Sequence, residues 1–95
     1  MRFGVFYELQ LPKPWEEGAE QRLFHEALDQ VVLADQLGID YAWAVEHHFL
    51  EEYSHCSAPE VVLAAVAAQT QRIRIGHGAV VCVPEMNHPI RVAER

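Results

Sequence analysis

A chain of 95 residues with 14 acidic and 7 basic side chains carries a formal net charge of −7, so it has no basic stripe to neutralise a phosphate backbone, and nucleic acid is excluded as an expected partner. Hydrophobic residues make up 51% of the chain, enough for one small core, yet no apolar run approaches the ~20 residues of a membrane span and no signal-peptide core follows Met1. A cytoplasmic chain is expected, in which Cys56 and Cys82 are too few for a disulfide framework or a paired zinc motif and read as small hydrophobes.

The first strand is expected almost at the start, over Arg2 to Tyr7, and it gives way to the Pro12-Lys13-Pro14 loop. From Ala19 to Leu37 the spacing turns helical. Leu23, Ala27, Val31 and Ala34 form one stripe with Leu28 and Val32 beside it, while Glu20, Arg22, Glu26, Asp29 and Asp35 fall mostly outside. Gly38 supplies the left-handed residue that ends such a helix without a Cβ penalty. Ile39 to Val45 is the next strand, apolar on both faces as in a parallel sheet covered on both sides, and it runs directly into Glu46-His47-His48-Phe49. After a loop over 50–56, Ser57-Ala58-Pro59-Glu60 reads as a capping box, with Ser57 as N-cap, for a helix whose body is Val61 to Ala68. A third strand is expected from Arg72 to Gly76, continuing through Ala79-Val80-Val81. Last comes a helix that starts at Asn87-His88-Pro89, with an Asx or His cap.

The order is therefore β-α-β-α-β-α, which implies parallel strands joined by right-handed crossovers, with no linker or charge run to divide residues 1–95 into more than one unit. Either a barrel or an open doubly wound sheet satisfies that order. The phosphate fingerprint of a dinucleotide-binding sheet is missing, because Gly76-His77-Gly78 gives G-x-G but Val81 stands where the third glycine belongs. A (β/α)8 barrel is favoured on that ground, with this chain as its first three βα units.

In such a barrel the active site lies at the C-terminal strand ends, where Glu46-His47-His48 sits. Histidine exchanges protons near neutrality without a large environmental shift, which suits it to acid-base work or to holding an anionic ring. Neighbouring strand residues point to opposite faces, so one imidazole of the pair is expected to face the interior and the other to support it. The competing reading is a structural pair that donates to backbone carbonyls. The crowding of Glu46, His47, His48, Glu51, Glu52 and His55 also raises a metal site, but none of the helical zincin spacings is present and no metal is assigned. Gly76 and Gly78, in an otherwise β-branched segment, mark either a bend or a close approach of backbone to a ligand.

The strand-end Glu46-His47-His48-Phe49, the Ile73-Arg74-Ile75-Gly76 strand and the His88-Pro89-Ile90-Arg91-Val92-Ala93-Glu94 segment, in this order, resemble the bacterial luciferase-like flavin-dependent monooxygenases over essentially the whole chain. The E-H-H-F and H-P-x-R-x-A-E elements are specific in combination. The resemblance implies a TIM barrel that binds reduced flavin, usually FMN delivered by a separate reductase, and uses O2 through a flavin peroxide to oxidise a small organic substrate. Some relatives use a deazaflavin and transfer hydride instead. By resemblance His47 and His48 are the catalytic residues, and Glu46, Gly76, Gly78 and Ala79 border the cofactor. Gly78-Ala79 matches a position where relatives place a non-proline cis peptide, a bond that costs ~3 kcal/mol. The stretch from Gly76 to His88 is longer here than in the luciferases, by Cys82-Val83 and Glu85-Met86-Asn87.

The phosphate-binding region of the family lies late in the barrel, beyond these residues. Three βα units leave two parallel edge strands, so the isolated chain is expected to form a homo-oligomer or pack loosely, and to show little activity alone. Two other readings stand beside this one. They are a metal-dependent hydrolase built on His47, His48 and His55, and a non-catalytic oligomeric module.

Overall fold

Three four-residue strands pair in parallel in the order β1-β2-β3, with β1 at Gly4–Tyr7, β2 at Tyr41–Ala44 and β3 at Arg74–His77. The computed structural model describes all 95 residues and adds α1 at Ala19–Gln36, α2 at Pro59–Gln69 and a short α3 at Pro89–Glu94. This is the expected run of three βα units, with β1 and β3 as open edges, as in an incomplete barrel.

Register separates the two faces of the sheet. Val5 pairs with Ala42 and Ala42 with Ile75, and this row turns toward the helices. Ala42, Val31, Ala34, Val66 and Ile73 form the main buried cluster, with Val5, Tyr7, Leu28 and Ile39 packed against it. Each buried Val or Ile there contributes about 1.5–3 kcal/mol through removal from water. The intervening rows, Gly4-Tyr41-Arg74 and Phe6-Trp43-Gly76, face away from the helices. On that side Phe6 remains 55% exposed and Trp43 37%, the latter stacked on Tyr41 at 5.8 Å. The second strand is thus covered on one face only in this chain, whereas its apolar composition suggested cover on both.

The α1 stripe of Ala27, Val31 and Ala34 is buried as expected, and Gly38 takes the left-handed conformation with φ 84° just past the helix. Asp35 departs from the expected outward face. Its buried carboxylate accepts the backbone N–H groups of Gln71 (2.8 Å), Arg72 (3.0 Å) and Ile73 (2.7 Å), so it organises the turn that feeds β3. The Gln71 bond first, with those of Ile73 and Arg72, holds this carboxyl below its ordinary range against the opposing pull of burial.

Two boundaries also move. The expected capping box at Ser57 does not form, because the N-cap is Ala58, without a side-chain bond. Pro59 at the first helical position forces the residue before it out of the helical region, and Ala58 lies at φ −139°, ψ 73°. Glu60 instead pairs with Arg95 at 3.4 Å. The third strand ends at His77 and does not continue to Val81. The last backbone bond it shares with β2 runs from Gly78 N–H to the Ala44 carbonyl, and the N–H of Val81 turns to a side chain. At α3 the cap is His88, whose Nδ1 accepts the N–H of Ile90. No helix is long and apolar enough to cross a membrane.

Candidate functional site

The C-terminal ends of β1 and β2 bring two carboxylate-imidazole pairs together. In the first, Glu8 Oε2 lies 3.3 Å from His47 Nε2, each side chain about a quarter exposed at 26% and 28%. In the second, Glu46 Oε1 lies 2.9 Å from His48 Nε2. His47 and His48 therefore diverge to different partners, three and four residues past the end of β2 at Ala44. Since an ionised carboxylate only accepts, the Glu46 contact places a proton on Nε2 of His48.

Glu46 is 6% exposed and fully engaged within the chain. Besides His48 it accepts the Val81 N–H at 3.0 Å and the Asn87 side-chain amide at 3.0 and 3.1 Å, one distance to each oxygen. Burial pushes its carboxyl upward, but the bonds from His48, Val81 and Asn87, with the charge of His48, outweigh burial and hold it below the ordinary glutamate range. Asn87 also donates to the Val81 carbonyl at 3.0 Å and accepts from Arg95 at 3.3 Å. One carboxylate thus ties the end of β2 to the whole segment between β3 and α3. That tie is the physical reason the strand stops early.

The first pair is looser. Glu8 Oε2 is buried yet makes no hydrogen bond, because its approach to His47 is close without being aligned. The ring of Tyr53 packs edge-on against His47, 5.4 Å between centroids at 66°. The loop that carries Tyr53 is stitched to both strands. His47 N–H donates to the Cys56 carbonyl (2.9 Å), His55 N–H to that of Leu9 (3.0 Å), and Leu11 N–H to that of Glu52 (3.1 Å).

Of the residues expected at the cofactor, Gly78 and Ala79 lie exposed beyond the end of β3, and Gly76 lies within it. A Cβ on Gly76 would come within 2.5 Å of the Trp43 ring, and one on Gly78 within 2.5 Å of the Phe6 ring. Both glycines therefore clear space for rings of the chain itself on the uncovered sheet face. The Gly78-Ala79 bond is trans, and the cis peptide falls at Lys13-Pro14 instead.

His55 pairs with Glu20 at 2.9 Å, so His47, His48 and His55 turn to three separate carboxylates and no cluster of three metal-ligating side chains forms. Cys56 is buried, and burial pushes its thiol up to about 11. A thiol so placed disfavours the nucleophilic thiolate near neutrality. Sequence reasoning missed Glu8, Tyr53 and Asn87. Glu8 carried a usable signal, since it follows β1 directly and so falls at the C-terminal strand end, where the expected barrel would carry its site.

Comparison with known proteins fits this geometry. The profile of the luciferase-like monooxygenases matches residues 1–95. Limonene 1,2-monooxygenase of Rhodococcus erythropolis is 38% identical over 95 residues, covering 98% of this chain and 22% of the relative. The crystal structure of monooxygenase RslO1 from Streptomyces bottropensis superposes with a TM-score of 0.77 at 36% identity, over 98% of this chain and 27% of that one. The oxygenating constituent of 3,6-diketocamphane monooxygenase from Pseudomonas putida, a type II Baeyer-Villiger enzyme solved in complex with FMN, does so at 0.69 and 25% identity, over 81% of this chain and 20% of that one. The chain spans about a quarter of the length of the relatives it matches.

Proposed function

The chain belongs to the luciferase-like monooxygenases, a family of enzymes, and on that premise we propose that it supplies the acid-base wall of a flavin-dependent monooxygenase at the C-terminal ends of its first three barrel strands. One observation carries the reading. Of two adjacent histidines, His48 is locked by Glu46, while His47 stands beside an oxygen that has no hydrogen bond, just past the end of β2.

The residues present fit one side of a reduced flavin. Phe6 and Trp43 give an apolar surface on the uncovered face, Gly78-Ala79 is exposed past the end of β3, and His47 follows the C-terminal end of β2. FMN is preferred over a deazaflavin because the diketocamphane relative was solved with FMN. Reduced flavin, when bound, supplies the electrons that activate O2 for insertion into a small organic substrate. His47 gives or takes a proton at that edge. His48 acts with it by keeping the Glu46 carboxylate, and so the Gly78 to His88 segment, in place. In this arrangement Glu46 and Gly76 shape the cofactor wall from behind, Glu46 through its bonds and Gly76 by admitting the Trp43 ring.

A separate flavin reductase is the expected partner, since the diketocamphane relative is described as an oxygenating constituent. Residues 1–95 form a single N-terminal segment of the barrel domain in this reading, in a cytoplasmic protein. The open edges and uncovered face favour a homo-oligomer when the segment stands alone. The test is a complete barrel made by exchanging residues 1–95 for the matching segment of a flavin-dependent relative. It should consume reduced FMN with O2 and lose turnover in the His47→Ala variant, whereas residues 1–95 alone should not turn over. Undiminished turnover in His47→Ala would overturn the proposal.

A further inference from the structure

Glu8 leaves β1 at the level where β2 ends, and the next residue, Leu9, holds a left-handed backbone with φ 55° that a non-glycine residue adopts only at a cost. Leu9 is buried, and its carbonyl is tied to His55 N–H, so the turn that aims Glu8 is fixed from both sides. The aimed oxygen, Oε2, is buried without a hydrogen bond, 3.3 Å from His47 Nε2. A buried acceptor left empty is unfavourable, and the His47 ring nitrogen stands within reach of it. The His47 backbone is held in turn by Cys56, in the same loop that holds Leu9.

We propose that Glu8 is the positioning residue of His47. It accepts the Nε2 proton once the ring turns the short distance into line, which leaves Nδ1 unprotonated and makes that nitrogen the basic one. A carboxylate that fixes one tautomer of a neighbouring imidazole in this way directs proton transfer without itself touching the substrate. The catalytic meaning of this pairing rests on the reading of His47 given above.

The experiment uses the 95-residue chain, labelled with 15N, and reads the ring nitrogens and ring N–H protons by NMR at a pH where the rings are neutral. In the unaltered chain His47 should carry its proton on Nε2 with slowed solvent exchange. Glu8→Met, which keeps the length and removes the acceptor, should speed that exchange at least about tenfold. Glu8→Gln, whose amide oxygen still accepts, should restore much of the protection even if the methionine variant packs poorly. Glu46→Met, which removes the acceptor of the second pair, should speed exchange at His48 and leave His47 unchanged. A proton on Nδ1 in the unaltered chain, or unchanged His47 exchange in Glu8→Met and Glu8→Gln alike, overturns the proposal. No flavin enters this measurement. Its failure therefore leaves the role of His47 standing, while an inert His47→Ala in the complete barrel would remove that role and leave the pairing.

Discussion

Two neighbouring histidines, each beside a glutamate at the same edge of the sheet, sit in opposite conditions. The two imidazoles are equally exposed, at 28%, and the difference lies in the carboxylates: Glu46 is buried and saturated, with four donor contacts converging on it. The Glu8-His47 pair is a quarter exposed and has an oxygen to spare. A saturated buried network is rigid, because every member loses a partner if any moves. An undersatisfied pair next to an open face is where a proton has somewhere to go. The difference teaches that adjacent, identical side chains divide structural and chemical labour through their second partners.

The sharpest way to break the comparison is to delete each imidazole in a complete barrel. His47→Ala should lower turnover by about 10²–10⁴, the usual weight of a positioned acid or base, with flavin affinity retained. Its effect on the unfolding midpoint of the 95-residue chain should stay within about 0.5 kcal/mol. Next in size is Glu46→Ala, which strands buried donors from Val81 and Asn87. It should cost about 3 kcal/mol in urea unfolding, against less than about 1 kcal/mol for Glu8→Ala at its half-buried site. Equal losses would mean that the two pairs are not different in kind.

Asn87→Ala removes the amide that bridges Glu46 and the Val81 carbonyl, and should cost about 1–2 kcal/mol. Hydrogen exchange should rise across the segment from Gly78 to His88 while the His47 backbone N–H stays protected. A smaller effect concerns acid. The folded chain holds Glu46 below the ordinary glutamate value of 4.5, so the unfolded chain takes up its proton first as the pH falls. The stabilisation is complete above that value and is lost as pH falls through the folded one. Denaturation midpoints followed from pH 6 to about 3 should show this loss, and Glu46→Gln should flatten that part of the profile.

Much of this arrangement was legible in the sequence. The βα alternation, the Gly38 helix stop and the position of His47-His48 at a strand end all follow from periodicity and local chemistry. What stayed hidden were pairings between distant residues. Asp35 looked like a solvent-facing helical residue, because nothing local announces that the N–H groups of Gln71, Arg72 and Ile73 turn toward it. The extended third strand failed for the same reason: Val80-Val81 has strand propensity, but the Glu46 carboxylate competes for the Val81 N–H. Ser57 misled as a cap because the restriction that Pro59 places on Ala58 is stronger than the preference for a serine hydroxyl. The glycines mark a bend or a close approach, and local sequence does not show what approaches: the rings of Trp43 and Phe6 lie one and two strands away in register.

The division of labour between the two histidines is tested most directly by where the flavin ring lies in a complete barrel built on residues 1–95. The account predicts the ring within van der Waals reach, about 4 Å, of the His47 imidazole and the Gly78-Ala79 backbone, with His48 still on Glu46. A flavin seated against a His48 released from Glu46, with His47 turned away and covered, would contradict it.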